Sequence, residues 1–264
     1  MTGLEFPNIS PILFSIGPLA IRWYSLAYLF GILIGWFLLL KNIKKYDLKI
    51  TPKDVEELIF YYTLGVILGG RLGYVLFYGT DVFIKNPLQI FAIWQGGMSF
   101  HGGILGVIIA TYLYAKKFGF KFLYVTDLIS LYVPIGIFLG RIANFINDEL
   151  WGRETTVPWA VRFPSGGYIP RHPSQLYEAF FEGLIMFIVL QTLWRFKKIR
   201  EHTGFVSAIF VISYGVFRFC MEYFRQPDVQ LGFLWGGFTM GQFLSVPFII
   251  IGLWVIFKKN AKQQ

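Results

Sequence analysis

The sequence has few of the residues from which soluble proteins and metal sites are built. Only 15% of its 264 residues are charged, against about 25% in an average soluble protein. Its one cysteine, Cys220, excludes a disulfide framework and a cysteine-based metal site. The three histidines, His101, His172 and His202, are too scattered to predict a metal cluster. The sequence also has no phosphate-binding loop motif, so we expect neither a metal nor a nucleotide cofactor.

Acidic residues are also few, with 15 Asp and Glu against 24 Lys and Arg, which gives a net charge of +9. Nucleic-acid-binding proteins carry such cations in patches on polar surfaces, whereas here the cations flank long apolar runs. The excess charge therefore indicates membrane topology and argues against nucleic acid as a partner. No Lys or Arg precedes Arg22, so the first apolar run lacks the basic start of a cleavable signal peptide and is expected to remain as a span.

Apolar sequence is abundant: 55% of the residues are hydrophobic and 20% are aromatic. Seven long runs predict an all-α integral membrane protein with seven transmembrane helices in one domain over residues 1–264. The runs lie at about residues 20–40, 57–78, 97–115, 122–145, 174–194, 204–222 and 237–257. Fifteen cations follow the odd-numbered runs and six lie in the opposite loops, so the positive-inside rule places the N-terminus outside and the C-terminus in the cytoplasm. The longest outside segment, residues 148–173, is rich in Gly, Pro and Trp and predicts a small extracytoplasmic cap.

Three arginines, Arg71, Arg141 and Arg218, lie inside the second, fourth and sixth predicted spans. An ionisable group in hydrocarbon costs roughly 2.5 to 3.5 kcal/mol on insertion scales, so each arginine is a candidate functional residue. His101 and Tyr24 lie near the start of spans that run inward from the outer side. All five residues are therefore predicted at one depth, near the outer surface of the membrane.

Two stripes of polar residues join these arginines to carboxylates. If residues 122–145 form a membrane helix, one stripe of the helical pattern carries Arg141, Asn144, Asp148 and Glu149. The sixth run places on one face Tyr214, Arg218, Glu222 and Arg225. A guanidinium is always charged and its planar fork suits a phosphate. The stripes predict an anion pocket for a phospholipid headgroup, with carboxylates that orient the arginines.

Several of these residues also have a structural interpretation. Arg141 alone is compatible with a cation that extends to the membrane interface, and Arg71 is equally compatible with a structural role. Tyr24 alone is typical of an interfacial aromatic belt. His101, between two glycine pairs, is compatible with a packed hydrogen-bonding residue, but its predicted depth beside the arginines favours general acid–base chemistry.

Three further acidic residues lie inside predicted spans. Asp127, near the cytoplasmic end of the fourth span, is expected to cap that helix or to face Lys121. Glu178 and Glu182 are four residues apart near the outer start of the fifth span, and two like charges on one helix face require a cationic partner.

The stretch Gly140 to Gly152 reads Gly-Arg-Ile-Ala-Asn-Phe-Ile-Asn-Asp-Glu-Leu-Trp-Gly. It resembles the motif Gly-Arg-x-Gly-Asn-Phe-x-Asn-x-Glu-x-x-Gly of bacterial prolipoprotein diacylglyceryl transferases, with Ala143 as the departure. Further stretches that match the family are residues 69–74, 97–103 and 171–178, and Tyr214-Gly215 with Arg218, Glu222 and residues 224–227. The resemblance covers nearly the whole chain.

This resemblance implies seven spans with the N-terminus outside, in the cytoplasmic (inner) membrane of a bacterium, with the active site on the extracytoplasmic side. It also implies the transfer of a diacylglyceryl group from phosphatidylglycerol to the lipobox cysteine of a prolipoprotein signal peptide, with release of glycerol phosphate. The catalytic residues are then expected to be His101, Arg141 and Arg218. The substrate-binding residues are expected to be Tyr24, Arg71, Asn144, Glu149, Gly152, Tyr214 and Glu222, where Arg71 is included for its depth and Gly152 from the motif alone.

The expected mechanism needs a base for the thiol and a site for the anion. His101 is expected to take or relay the thiol proton, while Arg141 and Arg218 hold the phosphate and Glu149 and Glu222 orient the two arginines. A carrier or channel for an anionic solute is the alternative function, since it too would use intramembrane arginines. A carrier is expected to have a site near the membrane midplane and two related halves. A lipid-binding scaffold would need the arginines but no histidine.

Overall fold

The computed structural model describes residues 3–17, 19–92, 96–227 and 232–260. The chain forms two compact units. The first consists of Met1–Gly35 and Asp127–Gln264, and the second of Trp36–Thr126. The organisation as a single membrane domain stays a prediction.

The described part of the chain is mostly helical. Helical structure covers most of each of the seven predicted runs. Four helical segments are long and apolar enough to cross a membrane: Trp23–Tyr46, Pro52–Phe77, Ser174–Trp194 and Met240–Lys258. A pair bent by 43°, Phe122–Ser130 with Val133–Ile146, is a fifth candidate if it forms one span. The protein is therefore a helical membrane protein, while the count of seven spans, the orientation of the termini and the cap stay predictions.

Among the described residues of the first unit, five short strands accompany the helices. Strand β1 (Leu4–Glu5) pairs in parallel with β4 (Val161–Arg162), which pairs antiparallel with β5 (Pro170–Arg171). Strands β2 (Ile12–Ile16) and β3 (Leu19–Arg22) form an antiparallel pair. The all-α prediction missed these strands because strands of two to five residues are too short to give a clear alternating pattern.

The helices and helical turns that lie in the first unit, or begin or end in it, are α1 (Trp23–Tyr46), α5 (Phe122–Ser130), α6 (Val133–Ile146), α7 (Ser174–Glu178), a π-helical segment (Ala179–Ile185), α8 (Met186–Trp194), α9 (Lys197–Glu201), α10 (Phe205–Met221), a 3-10 turn (Trp235–Gly237) and α11 (Met240–Asn260). Asp127 on α5 caps α10: its Oδ2 accepts a hydrogen bond of 2.5 Å from the Gly204 amide, and its Oδ1 accepts one of 2.7 Å from the Ser207 amide. Asp127 was expected to cap the helix that carries it, but the helix it caps is α10, which is distant in sequence.

The fourth predicted run is a broken helix. Pro134 lies in the first turn of α6, where its missing amide hydrogen costs no helical hydrogen bond. Helix α6 ends at Ile146, and Asp148 has a left-handed φ of 57°. The predicted stripe from Arg141 to Glu149 is therefore wrong beyond Asn144, because the chain leaves the helix before it reaches the two carboxylates.

The second unit contains α2 (Pro52–Phe77), α3 (Thr80–Lys85), a 3-10 turn (Pro87–Phe91) and α4 (Phe100–Phe118). Helices α2 and α4 pack through glycines at nearly backbone-to-backbone distance. A Cβ atom at Gly69 would lie 2.4 Å from the Gly102 carbonyl oxygen, and one at Gly106 would lie 2.1 Å from the Gly65 carbonyl oxygen. Such small-residue faces are common where helices associate in membranes, and here they fix the start of α4, which carries His101.

Candidate active site

Two of the predicted intramembrane arginines meet at one buried carboxylate. Glu178, the last residue of α7, is fully buried, and its Oε2 lies 2.8 Å from Nη2 of Arg141 on α6 and 3.1 Å from Nη1 of Arg218 on α10. We call Arg141, Arg218 and Glu178 the arginine clamp. Because each arginine keeps an exposed fraction of 14 to 17%, the two guanidiniums are held together without being completely enclosed.

Glu182 extends the clamp by one helical turn. It is fully buried, and its Oε2 lies 3.2 Å from Nη2 of Arg141. The π-helical segment that carries it packs closely on α6, since a Cβ atom at Gly183 would lie 2.6 Å from Cβ of Phe138. The expectation that Glu178 and Glu182 have a cationic partner is confirmed. Their sequence signal was two like charges on one helix face.

Glu222 orients the other arginine, as the four-residue spacing on α10 predicted. Its Oε1 is paired with Nη2 of Arg218 and lies 3.3 Å from Nη1 of Arg225. Its Oε2 accepts a hydrogen bond of 2.6 Å from the hydroxyl of Thr239. Glu222 is buried, so its ion pairs and hydrogen bond offset part of the desolvation cost that an isolated buried carboxylate would carry.

Glu149 does not have the role that the sequence predicted. The carboxylates paired with Arg141 among the described residues are Glu178 and Glu182. Glu149 instead accepts hydrogen bonds of 2.8 Å from Nδ2 of Asn144 and 3.1 Å from Nδ2 of Asn147. The reason is the end of α6 at Ile146, which carries Glu149 away from the helix face of Arg141.

The two predicted tyrosines lie on different helices of the first unit. Tyr214 lies on α10, one turn before Arg218, and its ring contacts those of Phe210 and Phe248 at centroid distances of 6.3 and 5.8 Å. Tyr24 lies in the first turn of α1, where its hydroxyl is 3.3 Å from that of Tyr28. Their predicted contacts with a lipid headgroup stay predictions.

Arg71 holds the chain that leads to α4. In the second unit its guanidinium donates hydrogen bonds to five backbone carbonyls, those of Gln89, Ile90, Ala92, Gly96 and Gly97, at 2.5 to 3.3 Å. Arg71 is buried. All three of its nitrogens are therefore used within the protein, which favours the structural interpretation of this arginine over substrate binding.

His101 lies in the first turn of α4, in the second unit. The helix starts at a defined point because the hydroxyl of Ser99 accepts a hydrogen bond of 3.2 Å from the Gly102 amide, and the Ser99 amide donates one of 2.8 Å to the Gly70 carbonyl. The imidazole is exposed and lies 5.7 Å from the Phe100 ring. Within the described residues, no three His, Cys, Asp or Glu side chains are grouped as metal ligands.

The segment that follows Glu149 is attached to the end of α10. The Gly152 amide donates to the His172 carbonyl at 2.9 Å, and the Arg153 amide donates to the Phe224 carbonyl at 2.8 Å. The Arg153 side chain also donates to the carbonyls of Glu222 and Arg225. Burial lowers the pKa of His172, so its imidazole is neutral at neutral pH. These bonds connect the chain after Glu149 to the residues that carry one end of the site.

Comparison with known proteins decides the family. The family model described as prolipoprotein diacylglyceryl transferase matches residues 11–258. The chain belongs to this family. It is similar to proteins named phosphatidylglycerol–prolipoprotein diacylglyceryl transferase from Rickettsia felis (52% identity over 260 residues, 98% of this chain and 100% of the relative) and Nitratidesulfovibrio vulgaris (50% over 254 residues, 96% and 95%). A relative of the same name from Brucella anthropi is 49% identical over 267 residues, 98% of this chain and 95% of its own.

Membership confirms the resemblance seen in the sequence and makes the protein a transferase of lipoprotein biosynthesis. The anion carrier is not favoured. Two residues of the diacylglyceryl transferase motif have different contacts. Arg141 belongs to the arginine clamp, and Asn144 donates a hydrogen bond to Glu149. The departing residue, Ala143, is buried in α6.

Gly152→Ala is expected to destabilise this transferase. A Cβ atom there would lie 2.5 Å from the His172 carbonyl oxygen and 2.6 Å from that of Phe224. These oxygens accept hydrogen bonds from the amides of Gly152 and Arg153, so a shift of either backbone would disturb those bonds. Overpacking of this kind costs about 1 to 3 kcal/mol. We expect a lower melting temperature of the detergent-solubilised protein, while Gly136→Ala, where a Cβ atom would meet open space, serves as the matched control. Equal melting temperatures for the two variants would contradict the steric role.

Proposed function

We propose that the protein transfers the diacylglyceryl group of phosphatidylglycerol to the thiol of a lipobox cysteine in a prolipoprotein signal peptide. Two observations support this. The relatives that match almost the whole chain are named for phosphatidylglycerol and prolipoprotein. The observation that carries the proposal is the arginine clamp, because two guanidiniums held by one buried carboxylate offer an anionic phosphate several hydrogen-bond donors in a fixed arrangement.

The reaction forms one carbon–sulfur bond and breaks one carbon–oxygen bond. The thiol loses its proton, because the thiolate is the nucleophile. Its sulfur attacks the glyceryl carbon that carries the phosphate, and the electron pair of the breaking carbon–oxygen bond remains with glycerol phosphate. The products are the thioether and glycerol phosphate, whose second negative charge develops during the reaction.

The clamp acts on that developing charge. In this mechanism Arg141 and Arg218 hold the phosphate and stabilise it increasingly as the bond breaks. Glu178 fixes the distance between the two guanidiniums, and Glu222 fixes the orientation of Arg218. We assign hydrogen bonds with the headgroup to Tyr24, Asn144 and Tyr214, with Glu149 holding the amide of Asn144.

The base is assigned to His101. Its imidazole is exposed at the start of α4 and is the type of side chain that exchanges protons near neutral pH. We propose this role for His101, and the pH dependence of the His101→Gln variant tests it. Arg71 is assigned the structural role of holding the chain before α4.

The proposed setting is the cytoplasmic (inner) membrane of a bacterium. Seven spans would place the N-terminus outside and the C-terminus in the cytoplasm, in agreement with the loop charges. Residues 148–173 would form an extracytoplasmic cap, so the phosphate and the lipobox cysteine would meet on the extracytoplasmic side.

The decisive experiment uses the purified protein in detergent with phosphatidylglycerol and a lipobox peptide, and measures release of glycerol phosphate. We expect release that depends on the peptide, together with a peptide that gains one diacylglyceryl group in mass spectrometry. A peptide whose cysteine is replaced by serine is the control. No peptide-dependent release from folded protein would refute the transferase proposal, and transport of an anionic solute by the same protein in liposomes would favour the carrier.

Glu178→Gln is expected to lower this activity by about 10- to 100-fold, because hydrogen bonds to charged groups contribute about 1.5 to 3 kcal/mol each. The amide oxygen can still contact both guanidiniums, but without its negative charge the two arginines repel each other. The measurement is glycerol phosphate release, with Glu201→Gln at the exposed pair with Lys197 as the matched control. Equal activities in these two variants would show that the shared charge is not needed.

A further inference from the structure

We propose that Thr239 is a positioning residue for the transfer reaction: its hydroxyl fixes the carboxylate of Glu222, and this carboxylate fixes the guanidinium of Arg218. The inference rests on the proposed function and adds a residue that neither the motif nor the helical stripes indicated. Thr239 lies directly before α11 and is 2% exposed.

The hydroxyl of Thr239 is used twice. It accepts a hydrogen bond of 3.3 Å from the Gln242 amide, while the Thr239 amide donates one of 3.0 Å to Oε1 of Gln242. These reciprocal bonds form a capping box at the start of α11. The hydroxyl's single proton remains free for donation, and it is donated to Oε2 of Glu222 at 2.6 Å. The cap of one helix therefore also holds the carboxylate at the end of another.

Gly241 allows the carboxylate to approach the helix. A Cβ atom at this position would lie 2.5 Å from Cδ of Glu222 and 2.6 and 2.9 Å from its two oxygens. The carboxylate is therefore in contact with the backbone of the first turn of α11, where the partial positive charge of a helix favours an anion. Both the hydroxyl and the backbone hold Glu222 in one orientation.

This orientation determines which carboxylate oxygen of Glu222 faces Arg218. With Oε2 directed to Thr239, Oε1 is directed to Arg218 and Arg225. Without the hydroxyl, Oε2 is a buried acceptor that has lost its partner, and the carboxylate is expected to turn toward other donors. The guanidinium of Arg218 is then oriented by Glu178 but no longer by Glu222.

The test compares three variants in the glycerol phosphate assay. Thr239→Val keeps the shape but removes the hydroxyl, and is expected to lower kcat about 10- to 100-fold, with a smaller change in KM for phosphatidylglycerol because the phosphate charge grows during the reaction. Thr239→Ser restores the hydroxyl and is expected to recover most of this loss. Thr111→Val is the matched control, since Thr111 is equally buried and donates only to the Val107 carbonyl of its own helix.

A double-variant experiment separates positioning from general destabilisation. If Thr239 acts through Glu222, Thr239→Val should have little further effect on kcat in a Glu222→Gln background. The same fold loss in both backgrounds would overturn the proposal. So would normal kcat in Thr239→Val, or a Thr239→Ser variant as impaired as Thr239→Val.

Folding is measured by thermal unfolding in detergent, and Thr239→Ala is the second variant if Thr239→Val does not fold. If neither folds while Thr239→Ser does, the residue is structural and the proposal is overturned. An inactive wild-type protein would refute the proposed function itself, whereas an active wild type with an unaffected Thr239→Val refutes only the positioning role.

Discussion

Arg218→Ala is expected to reduce peptide-dependent release of glycerol phosphate by about 10³-fold, the upper end of the effect of removing one donor to a developing anion. The substitution removes a guanidinium that is in contact with Glu178 and paired with Glu222. It therefore takes a donor from the departing phosphate and also leaves two buried carboxylates with less compensation. Arg141→Ala is expected to have an effect of the same order, since Arg141 shares Glu178.

The loss should depend on the guanidinium itself as well as on its charge. Arg218→Lys keeps the charge without the planar fork, so we expect an activity between those of the wild type and Arg218→Ala. The control is Arg162→Ala, which removes an arginine paired with Glu5 outside the clamp. Near-normal activity of a folded Arg218→Ala variant would remove this arginine from the phosphate site.

His101→Gln is expected to reduce the activity at neutral pH by about 10²- to 10⁴-fold, the usual contribution of a general base. The loss should shrink as the pH approaches the thiol pKa of the peptide cysteine, about 8.5 for a free cysteine, because solvent then removes the proton without a base. The measurement is the pH dependence of glycerol phosphate release by the variant and the wild type.

The pH dependence distinguishes a base from a residue that only packs. A packing defect would lower the activity at every pH by a similar factor. The matched control is His202→Gln. His202 directly follows the last residue of α9, and its ring contacts that of Phe205. If His101→Gln kept near-normal turnover while both arginine-to-alanine variants were inactive, the base would have to be another group.

The arginine clamp also explains how an apolar chain tolerates charge in its helices. Arg141, Arg218 and Arg225 each have a carboxylate within hydrogen-bond or ion-pair distance, and these carboxylates are Glu178, Glu182 and Glu222. Paired charges avoid most of the cost of burying each one alone. Charge pairing therefore accounts for the presence of this cluster in an apolar chain.

Local spacing predicted the contacts within single helices. Arg218 and Glu222 were expected to pair because residues four apart lie on one helix face, and the pair is present. The same reasoning was wrong for Glu149, because it assumed that α6 continues beyond Ile146. Helix ends depend on the contacts of the following chain, so they are the least certain part of a pattern-based prediction.

The spacing of residues along the sequence could not predict contacts between different helices. Glu178 and Glu182 were seen to need a cation, but their partner Arg141 lies about 40 positions away in the sequence. Arg71 was undecided between structure and substrate until its five carbonyl partners were known. The sequence analysis gave no indication of Thr239, whose contact with Glu222 joins two helices.

The sequence by itself determined that this is a helical membrane protein, that its polar residues are concentrated in a few helices, and which family it resembles. These conclusions follow from composition, periodicity and motif spacing, all of which are properties of the chain as written. Only the tertiary structure decided which carboxylate orients which arginine, because an ion pair between helices is set by how the helices pack. For that reason the motif from Gly140 to Gly152 contributes one arginine to the clamp, while Glu178 and Arg218 complete it from other helices and Glu222 holds Arg218.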